Sequence, residues 1–210
     1  MKRLFSSIFA LLLVATAFAQ RLTLSATVYK EFKPSVITLV DGRQLNQSLT
    51  NVFLKNSSLL YMSGTYTMEA NMDNIVSVKF DDRLYMAINK QLAYLVDTVA
   101  NNGLYCVELF DQDTYERNLR NNVNISNLDL GDQISTATVD LNTEEDYQLP
   151  VFRHYYMRFG NEYIRVHERD LSRKLNKEQR TMMRRIMALP TFSWQVEESL
   201  KQLLRAISNE

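Results

Sequence analysis

Short runs of β-branched and aromatic residues alternate with turn-forming residues between positions 21 and 111. Runs of this kind are typical of antiparallel strands joined by tight turns. Asp41-Gly42 and Asn102-Gly103 predict two-residue turns, because Asn or Asp followed by Gly tolerates the positive φ that such turns need. Asp81-Asp82 and Ser63-Gly64 indicate two more turns. The pattern predicts about eight strands, arranged as a small sandwich or barrel-like sheet.

A further hairpin is predicted between positions 151 and 169, where Gly160-Asn161 fits a two-residue turn. With that turn, the numbers of paired residues add up to 321. One face then collects Tyr155, Met157, Phe159, Ile164 and Val166, with an Arg153–Glu168 charge pair at its end. The other face alternates cations with rings: Phe152, Arg169, His154, His167, Tyr156, Arg165, Arg158 and Tyr163. We expect the first face to be buried and the second to be exposed.

The C-terminal segment has the period of amphipathic helices. Asn176 and Gln179 resemble a capping box, which predicts a helix with a Met-rich core stripe that ends near Pro190. Ser193 is the expected cap of a second helix, and Trp194 is expected to anchor the pair onto the sheet. The apolar stripe of this second helix comprises Val196, Leu200, Leu203, Leu204 and Ile207. The predicted class is therefore α+β: an antiparallel β-meander followed by a β-hairpin and two short C-terminal α-helices.

The first nineteen residues have the three parts of a secretory signal peptide. A positive start, Met1-Lys2-Arg3, precedes an apolar run at residues 8–14, and Ala17-Phe18-Ala19 fits the cleavage pattern. We expect cleavage between Ala19 and Gln20 and export to the periplasm or the medium. Gln20 stands where a lipoprotein would carry Cys, and the apolar run is shorter than the roughly 20 residues of a membrane span. We therefore expect no lipid anchor and no transmembrane segment after cleavage.

Composition narrows this outline. The 210 residues include 24 basic and 24 acidic side chains with five Gly and three Pro, which argues against a dedicated nucleic-acid binder, a collagen or a linker. The single cysteine, Cys106, excludes an intramolecular disulfide and a Cys-cluster metal site, and it is expected to be a buried, inert thiol.

The whole chain has no net charge, but its acidic and basic residues are concentrated in different segments. Residues 121–149 hold six acids and no base, whereas residues 165–185 hold eight Lys and Arg against three acids. The chain is accordingly divided into a signal peptide (1–19), an antiparallel β domain (20–112), an acidic connector (113–150) with one strand predicted at 134–141, and a hairpin with a helical pair (151–210). We expect this last part to pack on or beside the β domain.

The predicted hairpin supplies the candidate ligand contacts. His154 and His167, the only histidines, are expected to lie opposite each other with Cβ atoms about 5 Å apart. Such a pair could share a transition metal ion, respond to pH or contact a ligand. The full candidate set is His154, His167, Tyr156, Arg165, Arg158 and Tyr163. The alternative is a solvated cross-strand ladder that only stabilises the hairpin.

The charged segments indicate candidate partners. The basic residues favour another envelope protein or an anionic polymer, and the export signal argues against nucleic acid. They are Arg165, Arg169, Arg173, Lys174, Lys177, Arg180 and Arg184. Ordinary solvated helix faces are the alternative. The carboxylates at 111–116 and 129–146 have the chemistry of calcium ligands but lack the spacing of a calcium loop, so no metal is assigned.

The sequence carries no Ser-His-Asp motif with elbow glycines, no glycine-rich phosphate loop and no His-Glu metalloprotease signature. We therefore assign no catalytic residue and no cofactor, and we expect a non-enzymatic exported envelope protein, either a binding or a structural module. The alternative is a hydrolase or metal-dependent enzyme that uses His154 and His167 with a carboxylate such as Glu168.

Three features together resemble a known group of proteins. The signal peptide ends in Ala-Phe-Ala, the β-rich part contains residues 37–43 (ITLVDGR), and the tail runs from residues 163–166 (YIRV) through residues 170–175 (DLSRKL) into the helical pair. In this organisation the chain resembles uncharacterised exported proteins of Bacteroidetes. The resemblance implies the compartment and the layout, and it implies no activity.

Overall fold

The computed structural model describes residues 26–122 and 149–208, and shows an α+β fold built on one antiparallel sheet. The strands are β1 (Lys33–Leu39), β2 (Gln44–Phe53), β3 (Ser58–Ser63), β4 (Tyr66–Glu69), β5 (Ile75–Lys79), β6 (Leu84–Ile88), β7 (Gln91–Val99), β8 (Asn102–Phe110), β9 (Val151–Phe159) and β10 (Glu162–Arg165). Their spatial order is β10-β9-β8-β7-β6-β5-β1-β2-β3-β4. The predicted α+β class and the eight strands before residue 111 are confirmed, but the strands form one open sheet and not the predicted small sandwich or barrel-like sheet.

Four α-helices are present in the described ranges. They are α1 (Gln112–Asn122), α2 (Glu168–Lys174), α3 (Lys177–Met187) and α4 (Glu197–Ser208). Helix α1 occupies the beginning of the predicted connector. The predicted signal peptide and the strand predicted at 134–141 lie outside the described residues. Neither α1–α4 nor the short 3₁₀ turn at Met72–Asn74 is long and apolar enough to cross a bilayer.

The first two predicted glycine turns differ from expectation. After β1 the chain turns through residues 40–42, because Thr38 pairs with Gln44, so the loop has three residues rather than two. Gly42 takes a positive φ of 84°, as the last position of such a loop requires. Before β8 the turn is at Ala100-Asn101, because Val99 pairs with Asn102. The prediction of a turn at Asn102-Gly103 was wrong, and Gly103 lies inside β8.

The predicted register of the β9–β10 hairpin is confirmed. Phe159 pairs with Glu162 and Met157 pairs with Ile164, so the residue numbers of each pair add up to 321 as predicted. Gly160 has a φ of 60° in the turn. Strand β9 also pairs with β8 from Gly103–Arg158 to Phe110–Val151. The hairpin therefore extends the same sheet as the meander that precedes it.

The helical prediction is confirmed for α3 and corrected for α4. Asn176 and Gln179 form the reciprocal capping box of α3, which ends before Pro190. Helix α4 starts at Glu197 rather than after Ser193, whose hydroxyl accepts a hydrogen bond from Gln195 N at 3.2 Å. Val196 consequently lies outside the helix and is 48% exposed. The rest of the predicted α4 stripe is fully buried: Leu200, Leu203, Leu204 and Ile207.

Three clusters of buried apolar residues lie on the sheet, and the two larger ones are called the first and the second core. The first core joins β8–β10 to the helices and includes Leu104, Cys106, Tyr155, Met157, Leu171, Met183, Leu200, Leu203 and Leu204, with Trp194 partly buried against it. The second core includes Tyr29, Ile37, Val52, Leu59, Val78, Phe80, Tyr85 and Leu92. Tyr94 packs against both cores.

The sheet curls over the second core. The residue before β3, Ser57, accepts a hydrogen bond from Leu92 N and donates one to Leu92 O, both at 2.7 Å. Nearby, Phe110 N donates to Leu54 O at 2.8 Å. These bonds bring the β2–β3 turn to the ends of β7 and β8 without making those strands neighbours in the sheet order.

Candidate binding surface

Except for His167, the predicted ligand contacts lie on the face of the sheet opposite the helices, which we call the ladder face. It comprises Tyr105 on β8, His154, Tyr156 and Arg158 on β9, and Tyr163 and Arg165 on β10. Tyr105, Tyr156 and Tyr163 pack with Val107 and Ala93, away from the helical core. Cross-strand pairing places Tyr156 opposite Arg165 and Arg158 opposite Tyr163. The alternation of rings and cations predicted for this face is therefore confirmed for these two pairs.

Arg158 lies beside a pair of aromatic rings. The Tyr105 and Tyr163 rings meet nearly edge to face at a centroid distance of 5.3 Å, and the Arg158 guanidinium carbon lies 6.0 Å from the Tyr105 centroid. Arg158 Nη2 also lies 3.5 Å from the Asn101 carbonyl oxygen. Burial raises the pKa of Tyr105, so the phenol stays neutral. Arg158 thus contributes to hairpin packing as well as to the charge of the face.

His154 has Arg165 as its polar neighbour. Its Nδ1 lies 3.5 Å from Arg165 Nη2. Partial burial and then the Arg165 charge hold the pKa of His154 below its ordinary value. The imidazole is therefore neutral over a wider pH range than a free histidine, and a neutral ring can accept a hydrogen bond from the guanidinium.

The predicted pairing of the two histidines does not form. Strand β10 ends at Arg165, and His167 instead caps α2, where its Nδ1 accepts a hydrogen bond from Arg169 N at 3.3 Å. The predicted Arg153–Glu168 pair and the Phe152–Arg169 pair are lost for the same reason, because Glu168 and Arg169 belong to α2. As the N-cap, the His167 side chain satisfies one of the backbone N–H groups that the first turn of a helix leaves without an intrahelical partner.

A three-residue ion cluster on the helical side of the sheet was not predicted. Glu108, with only 11% of its side chain exposed, lies between Arg83 and Arg153. Its Oε1 accepts from Arg153 Nε and Nη2 at 3.1 Å each, and its Oε2 lies 3.3 Å from Arg83 Nη1. The Arg83 guanidinium also covers the Tyr94 ring at 4.8 Å. The pairing of β8 with β9 places Glu108 opposite Arg153, 45 positions away along the chain, and no local sequence pattern marks that pair.

The basic residues of the tail form a second surface, the basic surface, on the exposed sides of α2 and α3. It comprises Arg169, Arg173, Lys174, Lys177, Arg180, Arg184 and Arg185, all exposed. Lys174 pairs with Glu162, and Arg173 lies 3.9 Å from Asp170. Within residues 26–122 and 149–208, no carboxylate lies at ion-pair distance from the other five.

The ladder face and the basic surface lie on different layers. Helices α2 and α3 pack through Leu171 and Met183 onto the side of the sheet that carries Leu104 and Met157. Arg165 belongs to the ladder face on the other side. Arg165 therefore lies apart from the basic residues of α2 and α3, although they are close together in the sequence.

Cys106 and Asp111 have structural roles. Cys106 is fully buried between the sheet and the helices, and burial raises the pKa of its thiol to about 12, which keeps it protonated and unreactive. Asp111 caps α1 by accepting from Thr114 N at 2.9 Å and Thr114 Oγ1 at 2.7 Å. The acidic stretch at 129–146 lies outside the described residues. Among those described, no three His, Cys, Asp or Glu side chains are grouped as a metal site.

Comparisons of the chain with protein-family models, curated proteins and solved structures found no match. Function is therefore inferred from the two surfaces. The ladder face offers rings and guanidinium groups that are largely engaged with each other. The basic surface offers five exposed cations that have no carboxylate partner among the described residues.

Proposed function

We propose that the protein is a non-enzymatic, exported module of the cell envelope that binds an anionic partner through the basic surface. The observation that carries the proposal is the set of five exposed cations without a carboxylate partner among the described residues: Arg169, Lys177, Arg180, Arg184 and Arg185. Clustered charge of one sign attracts and concentrates anionic ligands. The predicted signal peptide supports an envelope location.

The arrangement on α3 strengthens this proposal. Lys177, Arg180 and Arg184 are spaced three and four residues apart, so they form a stripe along one side of the helix. Like charges at this spacing destabilise a helix by about 0.2–0.5 kcal/mol per pair. An anionic partner would relieve that repulsion. The stripe spans about 10 Å, which suits an extended surface or polymer better than a single small anion.

Several side chains of the types that often perform catalysis are engaged in folding contacts. His167 caps α2, Cys106 is a buried core thiol, and Glu108 is held between two arginines. His154 has Arg165 as its neighbour rather than a carboxylate. These roles support a binding function in place of the hydrolase alternative.

The proposal is tested by titration with a soluble polyanion. Dextran sulfate is expected to bind the protein at low salt, and neutral dextran is not. A variant carrying Lys177→Gln, Arg180→Gln and Arg184→Gln should lose at least about tenfold in affinity, because charge complementarity on this stripe drives association.

A matched control removes three exposed basic residues elsewhere, Lys55, Lys79 and Arg120, again as Gln. This variant has the same net charge and is expected to keep the parental affinity. Equal loss in both variants would show that net charge alone is responsible, and the proposed surface would be wrong.

A further inference from the structure

An exposed apolar loop lies directly beside the basic surface. Residues 188–196 connect α3 to α4, and Leu189 and Val196 in this loop are 43% and 48% exposed. Scattered single apolar residues are normal on a surface. Here, however, two of them flank one short connection that also contains Phe192 and Trp194.

The loop is held in place rather than loosely attached. Phe192 N donates to the Leu189 carbonyl at 3.0 Å. Ser199 Oγ accepts from Ser193 N at 3.2 Å and lies 3.4 Å from the Thr191 carbonyl oxygen. The Phe192 and Trp194 rings meet edge to face at 4.9 Å and pack against the first core. The exposure of Leu189 and Val196 is therefore a fixed feature of the fold.

The charge on the α3 side of the loop is positive, and on the α4 side Glu197 and Glu198 follow Val196 and both pair with Lys201. Residues 179–196 contain three arginines and no Asp or Glu. Arg184 and Arg185 occupy the last turn of α3, immediately before the loop, and Arg180 lies one turn earlier. Cations here also favour the helix C-terminus, but that effect does not require exposed apolar residues next to them.

Adjacent apolar and cationic side chains suit one kind of anionic partner in particular. A soluble polyanion is recognised by charge alone, whereas a lipid surface presents phosphates next to an apolar interior. We infer that the α3–α4 loop and the basic surface dock on an anionic bilayer, with Leu189 and Val196 at the boundary of the acyl chains and the arginines at the phosphates. This inference rests on the proposed function and names its partner as a lipid surface.

The protein contains its own reporter for this contact, because Trp194 is the only tryptophan and lies in the loop. The test uses protein that begins at Gln20, which retains every described strand and helix. Vesicles of phosphatidylcholine with about one third phosphatidylglycerol should bind it and shift Trp194 emission to shorter wavelength. Lipids brominated in the acyl chain should quench that emission. Vesicles of phosphatidylcholine alone should bind weakly.

Two double variants separate the contribution of the arginines to vesicle binding from that of the apolar residues. Arg184→Gln with Arg185→Gln should lower partitioning onto the anionic vesicles about 20- to 30-fold, because each basic residue near such a surface contributes about a factor of five. Leu189→Ser with Val196→Ser should lower it about tenfold and abolish quenching by the brominated lipids. Leu45→Ser with Leu49→Ser removes two β2 side chains of similar exposure and should leave partitioning unchanged.

Every other outcome overturns the proposed function, the lipid inference or both. Binding of dextran sulfate without binding of anionic vesicles leaves the proposed function standing and overturns the lipid inference. Failure to bind either anion overturns both. Vesicle binding that is insensitive to Leu189→Ser with Val196→Ser, or equal on both vesicle types, also overturns the inferred docking.

Discussion

Gly103 and Tyr105 show how a single residue position decides the packing of the ladder face. A Cβ built at position 103 would lie 2.8 Å from Cε2 of Tyr105. That ring is 3% exposed and is held against Tyr163, so it has little room to move. We predict that Gly103→Ala lowers the free energy of unfolding by about 1–3 kcal/mol, as overpacking of a core typically does. Urea denaturation measures the change.

A double-mutant cycle tests whether the Tyr105 ring causes this loss of stability. In a Tyr105→Leu background the ring is gone, so Gly103→Ala should be nearly neutral. If the full cost persisted in that background, the backbone at position 103 would be responsible rather than the ring. Gly103 lies in a strand and its φ is not positive, which favours the ring.

His154 gives the ladder face a pH dependence. Its pKa in the folded protein lies below the ordinary value of 6.5, because of partial burial and then of the Arg165 charge. As the pH falls through 6.5, the imidazole therefore takes up a proton in the unfolded chain before it does so in the folded protein. The contribution of the neutral imidazole to the free energy of unfolding is complete above pH 6.5 and is lost as the pH falls to the folded pKa. We predict that Arg165→Gln raises the pKa of His154, measured by NMR titration of its imidazole.

The His154→Asn variant assigns the NMR signal and should flatten the pH dependence of unfolding in the same window. An unchanged pKa in the folded Arg165→Gln variant would show that the guanidinium does not act on the imidazole. Circular dichroism of both variants checks that the fold is retained.

At the level of elements, strand pairing was predictable where the turn and the burial pattern agree. In the β9–β10 hairpin, Gly160-Asn161 and the alternation of Tyr155 and Met157 with polar residues specify the same register, which the structure has. Around Asn102-Gly103 the turn signal misleads, because the turn lies two residues earlier, at residues 100–101. Ala100 takes a positive φ of 52° there, and no glycine or proline marks that position in the sequence.

Other turns and helices had no sequence pattern strong enough to predict them. Asn89 and Lys90 form a turn with φ values of 50° and 66°, but no glycine marks it. Helix α2 has only seven residues, fewer than two full turns, so its period could not be distinguished from the end of a strand. The predicted histidine pair failed for that reason, whereas α3 was found because its Asn176 capping box is local in sequence.

On the scale of the whole molecule, the two cores are joined by side chains that the sequence could not bring together. Tyr94 packs against both cores, and its hydroxyl lies 3.4 Å from Glu197 Oε2 on α4. Glu108 connects Arg83, which precedes β6, to Arg153 on β9. These contacts span 25 to 103 positions along the chain, so they follow from sheet topology rather than from local pattern.

This connection predicts that the described fold unfolds in one step. Trp194 fluorescence reports on the helical core, and far-ultraviolet circular dichroism reports on all strands and helices. Their urea transitions should coincide in the parent protein. In Glu108→Gln, both should move together by about 1–2 kcal/mol, because charged hydrogen bonds to two half-exposed arginines are weakened.

The control is Asp73→Asn, which removes an exposed pair with Lys90 and should leave both transitions in place. Separate midpoints in the parent, or a shift of the fluorescence signal alone in Glu108→Gln, would mean that the two cores fold independently. The hydrogen bonds of Leu54 and Ser57 with Phe110 and Leu92 also join the β2–β3 turn to β7 and β8. Coincidence would therefore assign the coupling to Tyr94, the Glu108 cluster and the shared strands β7 and β8.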